Sequence, residues 1–477
     1  MEIRAGGAAM GSLLAAQRAA QAREGAPGLR IRRDRLSRAI ALLADHHDAL
    51  AAALGADFGH RSRHVSLLAD IAASIGALKF ARDHLDRWVR PERRRVQPAV
   101  LALFGARAWI EYVPKGVVGV MSPWNFPVNL TFAPLAGILA AGNRAMIKPS
   151  ELTPQTSALM AKLIASAFDP TEITVVEGDA VTGAAFARLG FDHLLFTGST
   201  AVGRAVAKAA AENLTPLTLE LGGKSPVLLG DTADMALAAR RIMAGKLMNA
   251  GQVCLSPDYA LVPRARLGEF LAAAREAVAA MYPGMRDNPD YGAIINQRHF
   301  ERLTNLVEDA RARGVEIVSL QPPDEDWTQQ PFRKFPPLLL VDPPDGALAM
   351  REEIFGPILP VRTYEGLDEA LAVVNARPHP LALYYFGRDT AERRKVLDST
   401  RSGGVTINDV VMHYAMEDLP FGGVGASGMG AYHGIEGFRA FSHARAIYRQ
   451  PLLDLTGMLR PPFGAGLERM LRRALRR

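Results

Sequence analysis

His193-Leu-Leu-Phe-Thr-Gly-Ser-Thr-Ala-Val-Gly203 is an apolar run that stops at a Gly-Ser pair and continues as the Ala-rich segment Arg204–Ala211. The apolar run reads as a strand buried on both faces, and the Ala-rich segment as a helix. Ser199 falls where an N-cap belongs, so the first free backbone N–H groups of the helix face the space beyond the strand. Such a helix start suits a phosphate, although a plain N-cap would look the same.

The same punctuation recurs on both sides. Strand-like runs at 116–121, 144–148, 173–178 and 226–230 alternate with helical runs at 154–168, 180–190 and 200–214. That alternation predicts a mostly parallel sheet covered on both faces, with ligands at the carboxyl ends of its strands. A second alternating block starts near residue 225, with strands expected around 258–263, 314–320, 336–342, 381–387 and 404–409. Residues 9 to about 90 carry helical spacing, as in Ile40, Leu42, Leu43, Leu50 and Leu54. The fold expected is α/β with two domains and a cleft between them.

The 477 residues can bury a large core, and 49% hydrophobic with 22% charged is ordinary for a soluble globular chain. The net charge is +7, but residues 460–477 hold six Arg against one Glu and so supply most of it. Elsewhere the balance is near neutral, which argues against nucleic acid as a partner. The tail reads as a solvated basic helix, with an anionic membrane surface as the alternative. No run in the sequence reads as a convincing membrane span, and the N-terminal AGGAAMGSLLAA continues a helical pattern, so a cytoplasmic protein is expected. One cysteine excludes an intramolecular disulfide and a Cys-rich zinc site.

Several motifs fail in context. Gly423-Val-Gly-Ala-Ser-Gly428 fits a dinucleotide fingerprint, but it follows no strand and reads as a glycine-rich loop. Gly223-Lys-Ser225 lacks the first glycine of a P-loop, where Thr218 stands. His60 and His64 have helical spacing but no accompanying glutamate, so no metal site is expected.

Other stretches hold up. Pro123-Trp-Asn-Phe-Pro127 follows the strand at 116–121, which places the Asn125 amide at a strand's carboxyl end, able to donate to an oxyanion. Glu220 ends a strand-like run beside two glycines. Cys254 lies past the end of the helix that closes near Met248, so that helix cannot lower its pKa from about 8.5. Each alone is also explained as a rigid turn, a surface acid and a core thiol.

Taken together, NAGQVC, ELGGKSP, PWNFP, IKPSE, FTGSTAVG and EEIFGP resemble the aldehyde dehydrogenase superfamily in order and spacing over nearly the whole chain. DFGHRSRH at 57–64 and LPFGGVGASGMGAYHG at 419–434 resemble the class 3-related branch, most like its coniferyl aldehyde members. The resemblance implies a Rossmann-type cofactor domain (1–98 and 113–221), an α/β catalytic domain (222–424), a small β oligomerisation arm (99–112 and 440–460) and a basic tail (461–477). It implies a homodimer that oxidises a hydrophobic aldehyde through a cysteine thioester. Cys254 would be the nucleophile, Asn125 the oxyanion donor and Glu220 the general base for hydrolysis. Lys148 and Glu151 would hold the adenosine ribose of NAD, with NADP possible. Gly198, Ser199 and Gly203 would frame the pyrophosphate, and Glu353 and Phe355 the nicotinamide ribose and ring. Trp124 would be a further cofactor-binding residue and, with Asn129 and residues 408–421, would border the substrate tunnel. The alternatives are a broad fatty or aromatic aldehyde dehydrogenase and a non-catalytic protein on the same scaffold.

Overall fold

The computed structural model describes residues 7–476, apart from 328, 329, 331, 452, 453 and 455. The first sheet has six strands in the spatial order Gly428–Met429, Leu217–Glu220, His193–Thr197, Val117–Met121, Arg144–Lys148 and Ile173–Val175. Five run parallel. Val117–Met121, Arg144–Lys148 and His193–Thr197 are buried at every position, as a sheet covered on both faces requires. The chain moves outward from Val117–Met121 to Ile173–Val175, then crosses back to place His193–Thr197 on the other flank. The crevice between those two flanks is where such sheets bind ligands.

A seven-stranded second sheet is ordered Glu316–Ser319, Leu338–Val341, Ile358–Tyr364, Tyr259–Pro263, Pro226–Leu229, Ala382–Phe386 and Gly404–Ile407. It is parallel except at the Glu316–Ser319 edge. The two sheets and the covering helices match the expected α/β architecture.

Three details differ from the sequence reading. Residues 99–112 are not one strand: Ala99–Leu103 is a short helix, and the strand runs from Arg107 to Pro114. That strand pairs antiparallel with Ser442–Arg449 on one side and with Glu92–Arg94 on the other, so part of the segment assigned to the cofactor domain belongs to this small sheet. The Gly423–Gly428 loop returns the chain to the first sheet, where Gly428 pairs with Glu220. Antiparallel pairing after a glycine-rich turn leaves no hydrophobic period in the sequence.

The N-terminal helices cover the first sheet. Among them Arg63–Trp88 is long and apolar enough to cross a membrane by length and composition, but it packs on Leu29–Asp45 and on the wholly buried helix Asn129–Ala141. The tail forms a helix from Ala465 to Ala474, with Met470, Leu471 and Leu475 exposed; Arg477 lies outside the described residues.

Candidate active site

A cavity of about 300 Å³ opens at the crevice of the first sheet. Its walls include Trp124, Asn125, Gly198, Ser199, Glu220, Cys254, Glu353 and Phe355. Eight of the eleven expected site residues therefore meet at one place. The other three, Lys148, Glu151 and Gly203, do not line this cavity. Lys148 ends its strand buried, with Nζ 3.1 Å from Glu151 Oε2. Gly203 is one turn inside the helix Thr200–Ala211.

Each group is delivered by a strand end or a constrained turn. Asn125 follows Val117–Met121 and is buried, its Nδ2 donating to the Gln252 carbonyl at 3.1 Å. Gln252 is itself fixed: its Nε2 donates to Asn249 and Ala293 carbonyls, and its Oε1 accepts from the Ile295 amide. Asn249 and Ala250 carry positive φ angles of 49° and 53° in the turn that leads from the helix Met235–Leu247 toward Cys254. Gly251 completes that turn at φ 76°, where an added Cβ would lie 2.3 Å from the Gly356 carbonyl oxygen. Only glycine permits this approach. Cys254 thus arrives past a helix C-terminus, as its sequence position implies.

Glu220 is buried, and its peptide is held on both sides. The Gly198 amide donates to its carbonyl at 3.0 Å, and Gly428 pairs with it on the other edge. Its carboxyl and the Cys254 thiol line the same cavity, and Oε1 has no partner among the described residues. Burial pushes Glu220 up to about 8; the neighbouring Cys254 thiol opposes that rise and the charge of Glu353 adds to it. Burial, with Glu220 and Glu353 nearby, raises the Cys254 thiol well above its ordinary range. Glu353 is likewise pushed up to about 8 by burial, with Asp258 adding to it. Burial is the largest cause of the rise in all three groups.

The cofactor side of the cavity fits a dinucleotide. Ser199 caps the helix Thr200–Ala211 by accepting from Val202 N, leaving its first N–H groups pointing at the cleft. At Gly222 an added Cβ would lie 2.2 Å from Glu353 Oε2, so any side chain there would displace that carboxyl. Phe355 holds φ 51° and meets Trp124 edge-on at 5.4 Å between ring centroids. A bulky residue in the left-handed region stores strain of about 1–3 kcal/mol, a cost found where geometry must be fixed.

Sequence reasoning missed His299 and Arg302, which also line the cavity. His299 contacts Trp124 at 5.0 Å between ring centroids. Arg302 donates to the carbonyls of Glu353 and Ile354, bracing the turn that carries Glu353 and Phe355. No local motif marks them; their three-residue spacing on the helix Gln297–Ala312 was the available signal. Asn129 departs from expectation. It is buried behind the cavity, donating to Ser74 Oγ and accepting from the Tyr414 hydroxyl, and Leu130 lines the wall instead.

Residues 4–447 match the family described as "Aldehyde dehydrogenase family". A coniferyl aldehyde dehydrogenase of Pseudomonas sp. (strain HR199) is 51% identical over 97% of this chain and 95% of that one. A probable coniferyl aldehyde dehydrogenase of Caulobacter vibrioides is 54% identical over 97% and 96%. Among solved structures, a substrate-bound Staphylococcus aureus AldH superposes with a TM-score of 0.90 at 36% identity, covering 97% of this chain and 99% of that one. A Mycobacterium tuberculosis aldehyde dehydrogenase complexed with NAD+ gives 0.83 at 29% identity, over 94% and 92%. With its cysteine, carboxylate and amide gathered at the switch point of a parallel sheet, the chain belongs to the aldehyde dehydrogenase family and is an NAD(P)-dependent enzyme of aldehyde oxidation.

Proposed function

We propose that the enzyme oxidises a coniferyl aldehyde-like substrate to its acid, with Cys254 as nucleophile, Asn125 as oxyanion donor and Glu220 as base. The observation that carries the roles is the convergence of these three side chains in one cavity. The Cys254 sulfur adds to the aldehyde carbon as its proton leaves for solvent. The carbonyl oxygen becomes an oxyanion that the Asn125 Nδ2 and the Cys254 amide hold. NAD(P)+, which Ser199, Lys148, Glu151 and Glu353 would hold, would supply the hydride acceptor for the thiohemiacetal carbon. The thioester left on Cys254 is then hydrolysed. Glu220, whose Oε1 has no partner among the described residues, draws the proton from water and returns it to the sulfur as the acid departs, restoring the thiol.

Ser199 and the helix start behind it would hold the pyrophosphate, Lys148 and Glu151 the adenosine ribose, and Glu353 the nicotinamide ribose. Trp124 and Phe355 would wall the ring against water.

The coniferyl assignment is supported by the coniferyl aldehyde dehydrogenases at 51–54% identity. The segment 408–421, none of which lines the cavity itself, exposes Met412, Met416 and Leu419, apolar side chains suited to an aromatic aldehyde. Arg302 is held by backbone carbonyls rather than free to bind a substrate carboxylate. A homodimer is favoured by the antiparallel arm, whose strand Ser442–Arg449 pairs on one side only and so offers an open edge to a second copy. A kinetic panel of aromatic, aliphatic and semialdehyde substrates with both cofactors tests the substrate. Coniferyl aldehyde should give the highest kcat/KM, and a clear preference for a semialdehyde would refute the assignment.

A further inference from the structure

The stretch Asp57-Phe-Gly-His-Arg-Ser-Arg-His64 takes no part in the chemistry above, yet Arg61 reaches the back of the active site. Arg61 Nη2 and Asp70 Oδ2 pair at 2.8 Å, with side chains 1% and 0% exposed. Asp70 sits in the π-helical turn Ser66–Ala72, a geometry that is rare and gathers at functional sites. Its Oδ1 accepts from the Asn129 amide at 2.7 Å, tying the pair to the first turn of the helix after PWNFP. Arg61 Nη1 donates to the Asn125 carbonyl oxygen at 2.7 Å. The rings of Phe58 and Phe126 flank the guanidinium at 4.7 and 4.9 Å, leaving it little freedom. Asn249 Nδ2 adds a second donor to the same carbonyl at 3.2 Å.

A buried ion pair is a weak source of stability, because desolvation offsets the attraction. This one holds two backbone groups of the same turn, the Asn125 carbonyl through Arg61 and the Asn129 amide through Asp70. We propose that the Arg61–Asp70 pair is a positioning device that fixes the Asn125 peptide and keeps Nδ2 aimed at the oxyanion. Arg61 touches neither thiol nor aldehyde; it acts through Asn125, so the inference rests on the oxyanion role assigned above. The effect belongs to the step in which negative charge develops on oxygen. It is absent from a thiol reaction that makes no oxyanion.

Two double variants separate position from charge. Arg61→Gln with Asp70→Asn keeps an N–H donor for the Asn125 carbonyl, and Arg61→Met with Asp70→Leu fills the volume without one. Each is compared with wild type by the single-turnover rate of NADH formation, by iodoacetamide alkylation of Cys254 in cofactor-free enzyme, and by thermal melting. The Met/Leu pair should lose about ten- to a hundredfold in NADH burst rate with alkylation within about twofold. The Gln/Asn pair should recover to within about threefold of wild type. Equal burst rates in the two pairs, or alkylation falling in step with the burst, would overturn the proposal. Should the Met/Leu pair not fold, Arg61→Lys serves, since a point-like ammonium cannot bridge both partners as the fork does; an unchanged burst there also overturns it. Asn125→Ala is the reference. A normal burst in that variant sinks the oxyanion reading along with this one, whereas an impaired Asn125→Ala beside an unimpaired Met/Leu pair sinks this one alone.

Discussion

The Cys254 thiol and the Glu220 carboxyl line one cavity, where burial drives both toward their protonated forms. The nucleophile and the base therefore share one desolvated environment before any aldehyde arrives. Replacing Glu220 by Gln should leave one turnover and stop the next. We expect a burst of NADH near one per site, followed by a steady rate down about 10²–10⁴-fold, read by stopped-flow absorbance. Full steady turnover would remove Glu220 from the hydrolytic step.

The raised Glu220 also sets a pH dependence. As a base it must be ionised, so turnover limited by hydrolysis should rise with pH through about 8 and level off above it. The stability effect runs the other way. Between the ordinary carboxyl range and about 8 the folded chain keeps a proton that the unfolded chain has released, so this contribution is complete at low pH and is lost as pH climbs through about 8. Glu220→Gln removes the penalty on the ionised form. The melting temperature of that variant relative to wild type should therefore increase from about pH 5 to about pH 8.5; a constant difference would show that Glu220 titrates normally.

Much of this site was legible because the groups sit at strand ends and tight turns, where a few consecutive residues set direction. PWNFP, ELGGK and NAGQVC could each be placed from their own neighbours. The parts that were not legible depend on distant chain. Arg61 reaches Asn125 across 64 positions, and Gln252 reaches Ala293 across 41; no local pattern encodes such partners. The strand Gly428–Met429 was hidden because its glycines read as loop, and the helix Ala99–Leu103 because its five apolar-rich residues fit strand and helix equally.

Removing the oxyanion donor should slow the first half of the reaction. Asn125→Ala is expected to lower the single-turnover rate of NADH formation about 10²–10³-fold, with cofactor affinity little changed. Equilibrium fluorescence titration with NADH separates the two, and a loss confined to cofactor binding would contradict the assignment.

Glu151 sits beside Lys148 with its side chain 43% exposed, and on the proposed placement of the adenosine ribose it would repel a 2′-phosphate. Glu151→Gln should shift the kcat/KM ratio of NADP to NAD upward by about tenfold, mostly through KM for NADP. An unchanged ratio would mean that the adenosine ribose lies elsewhere.

The most direct test of the central claim is mass spectrometry of the Glu220→Gln variant, acid-quenched after mixing with NAD+ and coniferyl aldehyde. One acyl group of the substrate should be found, and peptide mapping should place it on Cys254, the chain's one cysteine. A trapped acyl group on another residue, or NADH formed with no adduct at all, would contradict the cysteine thioester.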